Sequence, residues 1–137
     1  MKTIRIIFCL AIFSIICGAC TTEKRRVERV AMGYLEATSA YDIDRACHYC
    51  TPETAEGLRI IQKHVLPQLD AGYLRQNSQA EVKITGIEFE GDTIAKVAWW
   101  KKSPTDTFSD TLKMVKRDGQ WLADVHFVIP EAILCEQ

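Results

Sequence analysis

The sequence predicts an α+β domain, with about three helices followed by a hairpin-linked antiparallel sheet of about four strands. Three observations lead there. Apolar residues recur with a helical period up to about residue 75 and alternate from about residue 80 onward. Cap signals divide the first half at Asp42 and at Thr51-Pro52. Turn signals divide the second half at Glu90-Gly91-Asp92, Ser103-Pro104-Thr105-Asp106 and Asp118-Gly119. With 137 residues the chain has room for one such domain.

The first twenty residues read as an address. Met1 to Arg5 carries two positive charges and no acid, and Ile6 to Ile16 is almost unbroken apolar sequence. That run of 11 residues is too short to span a bilayer, which takes ~20. A basic start, a short apolar core and small residues before a cut site are the parts of a secretory signal. Cys17-Gly18-Ala19-Cys20 resembles the bacterial lipobox, although Cys17 stands where leucine is usual. The resemblance implies lipid transfer to Cys20 and cleavage after Ala19, so that residues 1–19 are a signal peptide. Residues 20–25 would then be the lipidated cysteine with a short tether, and residues 26–137 a single domain. The implied location is the bacterial cell envelope, outside the cytoplasm, with the membrane as partner through the lipid. Thr21 after the lipid cysteine resembles outer-membrane sorting. Lys24, Arg25, Arg26 and Arg29 would lie near the headgroups.

The first helix follows. Val27, Val30, Ala31, Tyr34, Leu35, Thr38 and Tyr41 form an apolar stripe, with Glu28, Arg29, Glu36 and Ser39 off it. Asp42 caps a second, short helix whose inward positions are Ile43, Ala46, Cys47 and Cys50. Thr51-Pro52-Glu53 supplies a cap, a first-turn proline and an acid for a third, with Ala55, Leu58, Ile61 and Val65 inward. Pro67 ends or kinks it. Leu69, Tyr73 and Leu74 suggest a further turn or two.

In the second half, Val82, Ile84, Ile87 and Phe89 alternate with polar residues, and Gly86 marks a bulge. Strands follow over 93–102 and 108–116, and a fourth is expected over 120–129. In that strand Trp121, Ala123, Val125 and Phe127 share one face, and Leu122, Asp124, His126 and Val128 the other. The element order is similar to the nuclear transport factor 2-like fold. So is Glu90 to Val97 leading into Lys116-Arg117-Asp118-Gly119-Gln120-Trp121. Over about residues 23–130 the chain looks most like small bacterial lipoproteins of unknown function with that fold. The resemblance implies a curved sheet wrapped around the helices as a cone, often with a pocket inside. Enzymes, binding modules and oligomerisation domains share the fold, so it does not decide function.

Seventeen basic and 18 acidic residues give a net charge of -1, which argues against a nucleic-acid partner. His48, His64 and His126 have no metal-ligand spacing, and no paired-cysteine zinc pattern or phosphate loop is present, so no metal or cofactor is expected. Cys47-His48-Tyr49-Cys50 is a CxxC, but helices precede it where a redox motif follows a strand. Its cysteines read as structural. Cys135 is a candidate disulfide partner for Cys50 or Cys47, with Cys50 preferred because it ends its helix and can adjust. The candidate pocket residues are Tyr34, Trp99, Trp100, Asp124 and His126. Trp99 and Trp100 point to opposite faces, and Asp124 and His126 share one face about 7 Å apart. No residue is assigned as catalytic. The expected function is a lipid-anchored exported module that binds a small-molecule ligand or another protein. The alternative is an enzyme using Asp, His or Tyr for general acid–base chemistry in the cone.

Overall fold

The structure, a computed structural model, describes residues 2–134, with side chains described for residues 20–133. The first helix, α1 (Lys2–Ser39), is continuous. Among the described residues, no helix is long and apolar enough to cross a membrane. Val27, Ala31, Tyr34 and Leu35 are buried, as the apolar stripe predicts, and Ala37, outside that stripe, is buried with them. Ser39, expected off the stripe, is buried too.

Asp42 caps α2 (Ile43–Ala46) by accepting from the Arg45 amide, and a 3-10 turn over Cys47–Tyr49 continues it. Thr51 caps α3 (Pro52–His64), accepting from the Thr54 amide. A second 3-10 turn, Leu66–Gln68, carries Pro67. Asp70 then caps α4 (Ala71–Ser78), the two further turns that Leu69, Tyr73 and Leu74 suggest. The buried face of α3 is Thr54, Gly57 and Leu58, whereas Ala55 and Ile61 are only half-buried. The face is rotated from the apolar stripe because Thr54 has polar work inside the domain.

The sheet is antiparallel, in the order β1 (Glu81–Glu90), β2 (Ile94–Lys102), β3 (Thr107–Arg117), β4 (Gln120–Ala123). Between Ile84 and Gly86 the β1–β2 register shifts by one residue. The bulge explains an odd spacing in the sequence. Val82 and Ile84 face inward before it and Ile87 and Phe89 after it, opposite Lys101, Trp99, Val97 and Ala95 in turn. Asp118 and Gly119 close the β3–β4 hairpin with φ of 51° and 76°, the paired left-handed conformation of a tight hairpin turn.

The fourth strand corrects the expectation. It ends at Ala123, not Ile129. The Asp124 amide still reaches the Lys113 carbonyl (2.9 Å), but the Val125 amide donates to the Thr54 hydroxyl (2.9 Å). That hydroxyl donates back to the Val125 carbonyl (3.1 Å), and the Thr51 hydroxyl lies 2.9 Å from it. The Thr51 amide bonds the Ala123 carbonyl (2.9 Å), so Cys50 and Ala123 form an isolated parallel bridge. The chain therefore leaves the sheet for α3. A short helix, α5 (Glu131–Leu134), follows.

At the other end of the sheet Glu23 pins α1. Its carboxylate accepts from Trp121 Nε1 (2.9 Å), from Lys116 Nζ (3.0 Å) and from Arg26 Nη1 (2.9 Å). Residues 20–25 are helical within α1, and Glu23 ties them to the sheet. The core between these pins is Val27, Ala31, Leu35, Ala46, Leu58, Val97, Leu112, Met114, Trp121 and their neighbours.

Two predictions follow from the pins. Thr54→Val strips the Val125 amide of its acceptor and should cost ~1–3 kcal/mol in urea unfolding, whereas Thr54→Ser should cost less. Equal losses would show that the hydroxyl is not what matters. Glu23 is held below its ordinary value of 4.5, first by Trp121 and then by Lys116. A carboxyl lowered by folding stabilises above its unfolded value, and that contribution is lost as pH falls through the folded one. Glu23→Gln should therefore be less stable than the native chain at pH 7. The gap should close in acid, once pH has fallen through that lowered folded value and the native carboxyl is protonated. Urea midpoints at neutral and acid pH test this, and a gap that stays constant would refute it.

Candidate functional site

The departure of residues 124–130 from β3 leaves a cleft between that segment, α1 and the sheet. It encloses about 390 Å³ and is lined mainly by Tyr34, Leu58, Trp99, Leu112, Val125 and Phe127. Asp110, Lys113, Asp124 and His126 also border it. A second cavity of about 340 Å³ shares Thr38 and Trp99 with the first and is lined by Tyr73, Asn77, Lys101, Ser103, Asp106 and Phe108. Trp99 is the wall common to both. Phe108 braces it edge-on, with ring centroids 5.7 Å apart and planes at 60°. Such braced aromatic walls, with polar groups around them to fix orientation, are the usual material of small-molecule sites.

Each side chain arrives for a local reason. Trp99 and Lys101 stand two residues apart on the inward parity of β2, with Asp110 opposite Trp99 and Phe108 opposite Lys101 on β3. Thr38 sits in the last turn of α1, lines both cavities and spends its proton on the Tyr34 carbonyl (2.9 Å), so its hydroxyl is left as an acceptor. Phe127 lies on the bare backbone of α3. A methyl group at Gly57 would fall 2.4 Å from Phe127 Cδ2, so glycine there is what lets the ring close one side.

Of the five pocket residues expected, four border the first cavity. Tyr34 is buried at its inner end, where burial foremost, then Cys50 and Cys47, hold the phenol well above its ordinary range. It is a neutral hydroxyl at physiological pH. Trp99 is the wall. Asp124 is at the rim, ion-paired with Lys113 (2.8 Å), and His126 is exposed beside it. Trp100 does not join them. It has the outward parity of β2, opposite Lys83 and Ser109, and belongs to the other face of the sheet. Sequence reasoning missed Thr38, Phe127 and Lys101 as lining. The signal for Lys101 was a charge on the inward parity, two residues after Trp99.

Cys50 is buried and Cys47 half-buried, and the two are free thiols not joined to each other. Cys50 caps the C-terminal end of the 3-10 turn, as expected. It is extended, in the bridge to Ala123. Burial, then Cys47, pushes its thiol up to about 11, so the nucleophilic thiolate is scarce at neutral pH. The expected pairing of Cys50 with Cys135 lies outside the described residues. Among the described residues, no group of three or more His, Cys, Asp or Glu side chains is arranged to hold a metal ion.

A curved antiparallel sheet wrapped on a long helix, with a cleft at its open end, defines the nuclear transport factor 2-like class. A solved structure with this architecture is a nuclear transport factor 2-like protein of unknown function from Shewanella oneidensis MR-1. It is 20% identical, with a TM-score of 0.52 over 74% of this chain and 93% of that one. Residues 22–123 match the family described as "Putative lumazine-binding", and the chain belongs to that family. No curated protein matches the chain.

Proposed function

We propose that the chain is a lipid-anchored binding module that holds a small, flat heteroaromatic molecule of lumazine type against Trp99. The observation that carries this reading is the aromatic frame of Tyr34, Trp99 and Phe127 around a cavity of about 390 Å³. That is the size and lining expected for a small-molecule ligand. The family description supports a fused-ring dione. Such a ring offers apolar faces to the aromatic walls, and ring N–H and carbonyl groups to Asp110, Thr38 and the rim. Binding is favoured over acid–base catalysis by the state of the candidate groups. Asp124 is neutralised by Lys113, and the Tyr34 phenol is kept protonated.

The anchor fits the same geometry. Cys20 is exposed and lies beside Glu23, Phe89 and Gly91 at the hairpin end of the sheet. Thr38, at the cleft, is 18 residues further along α1. At ~1.5 Å per residue the two ends stand ~27 Å apart. A lipid on Cys20 would hold the domain at a bacterial envelope membrane, outside the cytoplasm and at the outer membrane by the Thr21 signal, with its cleft turned to the aqueous side.

Calorimetric titration of the full chain with lumazine should give saturable binding, and Trp99→Ala should weaken it about tenfold or more. Absence of binding would overturn the reading. Cys20→Ala should leave an uncleaved precursor in bacterial cells, and normal processing with membrane retention would overturn the anchor.

A further inference from the structure

Lys101 is an inward-facing cation without a counter-ion among the described residues. Its cross-strand neighbours are apolar, Val82 on β1 and Phe108 on β3. Its ammonium stands 5.7 Å from the centroid of the Tyr41 ring, a contact with an aromatic face and not with a carboxylate. The one acid lining the same cavity, Asp106, turns a carboxylate oxygen back to its own neighbour, accepting from the Thr107 amide (2.7 Å). Burial alone acts on Lys101, and it lowers the ammonium's pKa; no neighbouring acid opposes it. A partly desolvated ammonium facing a cavity is costly unless something anionic comes to meet it.

Its position relative to Trp99 sets the shape of what would come. Residues i and i+2 on one strand face lie about 6.5–7 Å apart. A fused two-ring system stacked on Trp99 would therefore carry a substituent to Lys101 through the boundary formed by Thr38, where the two cavities meet. Asn77 gives one amide hydrogen to the Tyr73 carbonyl and has another for that second cavity.

We infer that the second cavity is a subsite for a carboxylate, so that the ligand is a flat heteroaromatic acid whose ring rests on Trp99 and whose anionic group pairs with Lys101. This inference rests on the proposed binding at Trp99 and narrows it to a chemical class. Lys101 acts as the specificity residue: a neutral ring of the same shape gains the aromatic wall and leaves the ammonium unpaired.

The test is titration of the full chain with lumazine and with lumazine-6-carboxylate. The carboxylate should bind about tenfold more tightly, as a charge-assisted hydrogen bond allows. Lys101→Met, which keeps the stem and removes the charge, should abolish the preference. Lys101→Arg should keep it. Equal affinities in the native chain, or a preference that survives in Lys101→Met, would overturn the inference while leaving binding at Trp99 in place. The native comparison and Lys101→Arg decide the matter if Lys101→Met does not fold. Failure of both ligands to bind the native chain would overturn the binding reading and this inference together.

Discussion

The Thr54 hydroxyl takes both backbone groups of Val125, which point away from β3 because the preceding residue, Asp124, is the one whose amide bonds Lys113. Most of the open end of the molecule depends on that attachment to α3. Had Val125 continued the ladder, the residues after Ala123 would have covered the edge of β3 as far as Thr107. Instead they cross to α3, where Gly57 gives the Phe127 ring a surface to lie on. The edge of β3 before Met114 is left without a strand partner on that side, and the space beside it is the cleft. The arrangement is also self-satisfying. Thr51 caps α3 through the Thr54 amide and places its own hydroxyl against that of Thr54. One short hydrogen-bond chain thus starts a helix, stops a strand and leaves no buried polar side chain among the described residues unpaired.

The inward face of the sheet changes character along its length. Its centre is apolar, with Ala95, Val97, Leu112 and Met114 buried against α1. Charges appear only at the two ends, and the ends treat them differently. At the hairpin end Lys116 meets Glu23, and Trp121 adds its indole N–H to the same carboxylate, so the charge is consumed in holding α1 down. At the open end Lys101 has no such partner. A protein interior tolerates ions when they are paired. The paired ion lies at the end of the sheet where α1 is pinned, and the unpaired one at the end where the cavities open.

Much of this was legible in the sequence because local chemistry and global fold agree there. Asp42, Thr51 and Pro52 announced helix starts, and Asp118-Gly119 announced the last hairpin. The three-residue step from Ile84 to Ile87 announced the bulge, since alternation alone cannot keep both residues inward. What failed were the places where a distant partner overrides a local pattern. Residues 124–129 alternate as well as any strand, and nothing near them in the chain reveals Thr54, 71 residues away. The same partner rotated the buried face of α3 toward a threonine. Trp99 and Trp100 were correctly split between faces, but only the register across β1 and β3 says which indole faces the helices. Tyr34, Asp124 and His126 were gathered as pocket residues by parity and composition. Lys101, in the adjoining cavity, was not among them, since a charge at a strand end gives no signal in the sequence alone.

The turn that ends α1 ties these threads together. Tyr41 has φ of 58°, a left-handed conformation that costs a non-glycine residue roughly 1–2 kcal/mol. The position is the natural one for glycine in a helix-terminating motif. The Asp42 amide reaches the Ala37 carbonyl (2.9 Å) and the Tyr41 amide reaches that of Thr38 (3.1 Å), so the last carbonyls of α1 are satisfied by the reversal itself. Glycine would make the same turn without strain. What tyrosine adds is its ring, which faces the Lys101 ammonium and adjoins Tyr73 of α4. A cation–aromatic contact is worth about 0.5–1 kcal/mol at an exposed site and more when desolvated. That offsets much of the strain and steers the Lys101 side chain without neutralising it. An acid at the same place would have held the lysine more firmly and removed its charge from the cavity. The turn therefore keeps α1, α4 and β2 in contact at the open end while leaving a positive charge available there.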